Sequence, residues 1–209
     1  MGRKTGVQCK RWLPMNRPEN THSARAARIG VFCGSSYGAH PAYEAAAREL
    51  GTLIGQAGME MVFGAGDIGL MGEAARAVRK AGRKVTGILP AFLRHLEPPL
   101  INGETVEITA DLQERKRRML ALADAFVILP GGLGTLDEFF EVVTSAQLNV
   151  FSRPIVVIDT DGFYAPLKAL LEHVVAHGFA KPESLDLCRF VATPGQAMAA
   201  IDEGLARGG

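Results

Sequence analysis

The chain has 209 residues, of which 47% are hydrophobic and 22% charged, with a formal net charge of +1. That is the length and composition of a globular protein with one sizeable core. The near-zero charge argues against nucleic acid or an anionic membrane as the main partner, since both select for a basic surplus. No apolar run reaches the ~18–20 residues of a membrane-spanning helix. Three scattered cysteines, Cys9, Cys33 and Cys188, make neither a disulfide framework nor a zinc site and point to a reducing, cytoplasmic setting.

Residues 1–27 are basic, with Arg3, Lys4, Lys10, Arg11, Arg17 and Arg25 against the single acid Glu19. They show no apolar periodicity and no signal-peptide core, so a disordered tail outside the fold is expected. From Arg28 to the end, strand-like and helix-like stretches alternate as one domain. Strands are expected at 29–33, 60–63, 84–89, 105–109, 125–129, 154–158 and 189–192. Helices are expected at 41–56, 70–81, 112–123, 135–148, 163–177 and 194–205, with 91–104 irregular. Asp111 is suited to cap the helix that follows it. This alternation predicts a doubly wound, Rossmann-like parallel sheet in three α/β/α layers. In such sheets ligands bind outside the carboxyl ends of the strands. Three expected strands run there into Gly/Ser loops: Gly34-Ser35-Ser36, Gly64 to Gly72, and Pro130 to Thr135.

Gly64-Ala65-Gly66-Asp67-Ile68-Gly69 fits the dinucleotide fingerprint G-x-G-x-x-G between a strand and a helix. The fingerprint also needs an acid at the end of the next strand, and Gly87-Ile88-Leu89-Pro90 has none. The P-loop pattern is absent. The loop therefore reads as a wall of a mononucleotide site, against the plainer reading of a tight turn. In Pro130 to Glu138, Gly131, Gly132 and Gly134 permit positive φ and close approach of backbone to a ligand. The following helix N-terminus offers free N–H groups to a phosphate. Thr135 and Glu138 also fit a T-x-x-E capping box, in which they would only satisfy each other's backbone.

In Asp111 to Met119, Arg115 and Lys116 share a helix face with Leu112 and Met119, so both cations should point inward. Inward cations need an anion, either a carboxylate such as Glu138 or a bound phosphate. Arg117 and Arg118 fall on the other side, with Glu114 and Arg118 spaced as an i,i+4 pair. The histidines show no metal spacing, and His173 and His177 read as helix surface.

These segments resemble the Lonely Guy family, the cytokinin riboside 5′-monophosphate phosphoribohydrolases often mislabelled lysine decarboxylases. The resemblance rests on Val31 to Ser36, Gly64 to Gly72 ending in Gly-Leu-Met-Gly, Glu114-Arg115-Lys116, and Pro-Gly-Gly-x-Gly-Thr-x-x-Glu at 130–138. Ala146-Gln147-Leu148 and Asp161 to Tyr164 add to it. It implies hydrolysis of the N-glycosidic bond of AMP or an N6-substituted AMP, giving free base and ribose 5-phosphate. It also implies a homodimer or a larger assembly built from dimers, and that chemistry needs no metal or organic cofactor. Arg115 and Glu138 fall on the family's catalytic pair. Ser36, Gly64, Gly66, Glu97, Lys116, Gly131, Gly132, Leu133, Gly134, Thr135, Leu136, Asp137 and Thr144 are the expected substrate-binding positions. The sequence departs from the family at Ala65, where a third glycine is common, and at Leu112-Gln113, where a Met often precedes the Arg-Lys pair. The competing expectation is a non-catalytic nucleotide or cofactor carrier on the same fold.

Overall fold

The computed structural model describes residues 25–95 and 105–207. Seven strands, β1 (Arg28–Phe32), β2 (Glu60–Phe63), β3 (Val85–Pro90), β4 (Thr105–Thr109), β5 (Ala125–Ile128), β6 (Ile155–Ile158) and β7 (Arg189–Val191), form one sheet in the order β4-β3-β2-β1-β5-β6-β7. Every neighbouring pair is parallel. The helices are α1 (Pro41–Gln56), α2 (Gly69–Lys80), α3 (Leu112–Leu122), α4 (Leu133–Gln147), α5 (Ala165–Ala176) and α6 (Pro194–Arg207). The strand order reverses between β1 and β5, and that reversal opens the crevice in which doubly wound sheets bind ligands.

Side chains alternate across each strand, so one strand feeds two cores. Ile29 and Val31 of β1, with Ala125 and Val127 of β5, pack beneath α1, α2 and α6. Phe32, Phe126 and Ile128 face the opposite core with Met119 of α3, Phe139 and Val142 of α4, and Leu167 of α5. The central strands are buried on both faces, which is why they read as unbroken apolar runs. No helix among the described residues is long and apolar enough to cross a membrane.

The expected sheet, layers and element order are present; the differences are local. Arg25, expected in the tail, donates to both Asp124 carboxylate oxygens at 2.8 Å, so the folded contacts begin before Arg28. The tail up to residue 24 lies outside the described residues. A 3₁₀ turn at Thr160–Gly162, with Asp161 at φ 52°, delays α5 to Ala165. Two further 3₁₀ segments were not expected, Ala91–His95 in the stretch read as irregular and Pro182–Leu187, and helix α4 starts two residues early.

Tyr164, just before α5, is fully buried and its hydroxyl donates to the Leu129 carbonyl at 2.7 Å. That bond ties the turn after β6 to the residue leading into Pro130. Tyr164→Phe leaves the Leu129 carbonyl without its buried donor and should cost about 1–2 kcal/mol. Denaturant unfolding checks it; an unchanged midpoint would show that water replaces the hydroxyl.

Candidate active site

β2, β1 and β5 are adjacent and parallel, so the loops after them meet at one edge. Backbone hydrogen bonds knit them together. Gly34 N donates to Pro130 O at 3.0 Å, Met71 N to Gly34 O at 3.3 Å and Leu70 N to Ser36 O at 3.4 Å. Gly69 begins α2 at φ 70°, and a Cβ there would lie 2.4 Å from the Ser35 carbonyl carbon, so two constraints demand glycine at once. Ala65 sits at φ 67°, a conformation that favours glycine, with its methyl against Gly87. The backbone thus explains why a glycine is common where this chain departs from the family.

Helix α4 corrects two expectations. Its N-cap is Gly132, which has no side chain to cap with, and Thr135 is the third helical residue. Thr135 and Glu138 are therefore not a capping box, because the chain enters the helix at Leu133. The first-turn amides are left without a side-chain acceptor, and the first turn carries no acid. Nor do Gly131, Gly132 and Gly134 take positive φ. Gly131 is small because a Cβ would fall 2.1 Å from Thr135 Oγ1 and 2.8 Å from Gly34 N. Gly132 and Gly134 face open space, so the backbone at the helix entrance is bare. A bare, uncapped helix N-terminus is a ready anion site.

Behind that entrance, Arg115 Nη2 on α3 donates to Glu138 Oε1 on α4 at 2.7 Å. Both side chains are largely buried, at 13% and 10% exposure. The next residue, Lys116, is more buried still, and its ammonium bridges Asp137 at 3.1 Å and Glu141 at 3.2 Å. Burial opposes that charge, but the two carboxylates outweigh it and hold Lys116 above the usual lysine range. The inward turn of Arg115 and Lys116 is as expected, although Leu112, which helped define that face, is exposed. Glu141 was missed. Its signal was available, because it lies one turn beyond Asp137 on the same face of α4.

Burial pushes the Glu138 carboxyl up to about 7; Arg115 opposes this but does not cancel it, and Asp137 adds to it. A carboxyl whose folded value lies above its ordinary 4.5 binds more protons folded than unfolded in between. Stability from this group is therefore full below pH 4.5 and falls as pH rises toward 7. We expect the unfolding free energy to fall by about 2–3 kcal/mol across that window, and Glu138→Gln to flatten the fall. A pH series of denaturant unfolding on both proteins measures it.

The remaining expected positions divide. Ser36 is exposed at the loop junction, and Gly66 is buried beside Asp67, whose carbonyl and carboxylate accept from Arg76 at 2.9 Å. Leu133 projects from the helix entrance at 86% exposure. Leu136, another expected substrate-binding position, is half-buried and packs against the core shared by α3 and α4. Thr144 lies nine residues beyond Thr135, about 14 Å along the axis, on the exposed face of α4. It is remote from the helix entrance. Glu97 lies outside the described residues. Glu114 does not pair with Arg118: it accepts from Ala110 N at 2.6 Å, while Arg118 binds Glu107 on β4. The His173 and His177 rings lie 4.1 Å apart on α5, and no group of three or more His, Cys, Asp or Glu among the described residues could hold a metal ion.

Two clefts lie away from this edge. One, of about 380 Å³, sits at the amino ends of β6 and β7 between Arg153, Arg189 and Glu203. The other lies beside Asn149 and Phe179. Neither cleft is lined by Arg115 or Glu138.

Comparison with known proteins gives the same answer from another direction. A family model described as "Possible lysine decarboxylase" matches residues 71–201. A cytokinin riboside 5′-monophosphate phosphoribohydrolase of Arabidopsis thaliana is 43% identical over 78% of this chain and 75% of its own length. A probable enzyme of the same name from Oryza sativa subsp. japonica is 38% identical over 86% of this chain and 74% of its own. Among solved structures, the molybdenum cofactor binding protein from Rippkaea orientalis superposes with a TM-score of 0.67 at 23% identity, covering 87% of this chain and 98% of its own. That likeness speaks to the fold alone. Motifs, site geometry and relatives agree, and the chain belongs to the Lonely Guy family of cytokinin riboside 5′-monophosphate phosphoribohydrolases.

Proposed function

We propose that the protein hydrolyses the N-glycosidic bond of AMP or an N6-substituted AMP, releasing the free base and ribose 5-phosphate. The observation that carries this reading is the buried Arg115–Glu138 pair set directly behind an uncapped helix N-terminus. The 5′-phosphate takes the amides of the first turn of α4, with Gly132 and Gly134 leaving them accessible. The glycosidic C–N bond breaks with its electron pair leaving on the purine, and positive charge spreads over C1′ and the ring oxygen. The Glu138 carboxylate stabilises that charge and orients the attacking water. The new C–O bond forms at C1′ and one water proton passes to Glu138; the departing base takes up a proton from solvent, and Glu138 gives its own back to solvent. Arg115 favours the ionised form of Glu138 and aims it, and binding of the remote phosphate holds C1′ in place.

Lysine decarboxylation fits poorly. A Schiff-base lysine must be able to lose its proton, and Lys116, the buried lysine among the described residues, is held charged by two carboxylates. A carrier would have no use for a buried Arg–Glu pair.

Leu133, Phe140 and Leu148 expose apolar surface at intervals of seven and eight along α4, with Thr144 on the same stripe. This spacing supports a homodimer in which the stripe is covered by a second copy, so that Thr144 approaches substrate only there. Light scattering of the purified protein tests the dimer. Incubation with AMP and with N6-isopentenyl-AMP, assayed for free base, tests the reaction. Tight binding of both nucleotides without base release would favour the carrier.

A further inference from the structure

The glycine at position 64 was expected to bind substrate because it opens a glycine-rich loop. Its surroundings give it another task. A Cβ on Gly64 would lie 2.4 Å from Arg115 Nη2, 3.0 Å from Arg115 Cζ and 3.4 Å from Met71 Sδ. The same Nη2 makes the 2.7 Å bond to Glu138. The backbone does not itself require glycine here, since Gly64 is absent from the positive-φ glycines that include Gly69. Arg115 Nε is buried with no hydrogen-bond partner. Nothing therefore anchors the guanidinium on that side by hydrogen bonding, and shape has to do it.

We propose that Gly64 is a positioning residue: its missing side chain is the notch that seats the Arg115 guanidinium against Glu138. The consequence for turnover rests on the hydrolase reading; the notch itself does not. A methyl at 64 meets the far end of a flexible side chain, so the fold can accept it if Arg115 retreats by about 1 Å to reach ordinary contact. A retreat of that size is as large as the whole working range of the Arg115–Glu138 bond. Misplacement of about 1 Å in a catalytic constellation costs on the order of a hundredfold in rate. Gly64 thus acts on the Arg115–Glu138 pair through Arg115, although it lies on a different strand loop and contributes no polar side chain.

The test is a double-mutant cycle on the wild type, G64A, R115A and G64A/R115A. Turnover of AMP or N6-isopentenyl-AMP is measured together with the Glu138 titration midpoint, read by NMR on carboxyl-labelled glutamate. G64A should lower kcat about a hundredfold and raise the Glu138 midpoint by about one pH unit, because Arg115 no longer favours the carboxylate. Adding G64A to R115A should change kcat by no more than about twofold and the midpoint by no more than about 0.3 pH unit, since the notch is then empty. Wild-type kcat and midpoint in G64A would overturn the proposal, as would an equal loss in both backgrounds. If the wild type releases no base, the hydrolase reading fails, and the titration midpoints still decide the notch. If G64A does not fold, G64A/R115A should fold with the melting temperature of R115A; failure of both to fold overturns the proposal.

Discussion

Base release by Glu138→Gln is expected to fall about 10³-fold, with the fold intact and nucleotide binding nearly unchanged. Glutamine fills the same volume and still offers a carbonyl oxygen to Arg115, so the buried contact at 2.7 Å survives in neutral form. What disappears is the negative charge facing the sugar as C1′ becomes cationic, and the group that takes the water proton. Near-wild-type turnover in this variant would remove Glu138 from the mechanism. The wild type carries a companion signature. Burial holds the Glu138 carboxyl at about 7, and only its ionised form can stabilise a cation. Turnover should therefore rise with pH through a midpoint near 7 and level off above it, while stability moves the opposite way. A rate profile flat from pH 5.5 to 8.5 would contradict this.

Arg115→Ala is expected to do more damage, because it harms fold and chemistry together. Removing one partner of a buried ion pair leaves an uncompensated charge and costs about 3–5 kcal/mol. Glu138 has a way out: it can take up a proton, since burial already favours its neutral form. The stability loss should therefore be small near pH 5.5 and large near pH 8, and turnover at pH 7 should fall about 10³-fold. Arg115→Lys restores charge without the planar fork and should recover stability better than rate. Equal destabilisation of Arg115→Ala at both pH values would show that Glu138 stays ionised without its partner.

How much of this could be read from the residues varied by element. The unbroken apolar runs of β1, β5 and β6 and the helical spacing of α1, α2 and α6 sufficed for the layers and the alternation. Burial on both faces leaves a period-free apolar strand, and burial on one face leaves a 3.6-residue period. The inward direction of Arg115 and Lys116 followed from their spacing to Met119, though not from Leu112, which is exposed. The start of α4 did not, because Thr135 and Glu138 satisfy a capping rule that is purely local. The helix instead starts at Leu133, where Gly131 lies close against Thr135 and against Gly34 of the loop after β1, a juxtaposition that only the sheet order creates.

The amino-acid sequence by itself determined the fold class and the edge at which the loops gather, and it singled out Arg115 and Glu138 as the candidate pair. Those depend on periodicity and on motif order along one chain. Only the tertiary structure decided which partners meet: Arg115 with Glu138, Lys116 with Asp137 and Glu141, and Gly64 with Arg115. Each of those contacts joins residues more than twenty positions apart on different elements, and their distances are set by sheet order and helix packing. It is that packing that turned Glu138 from a plausible cap into a buried, arginine-paired carboxylate, and Gly64 from a turn residue into the seat of its partner.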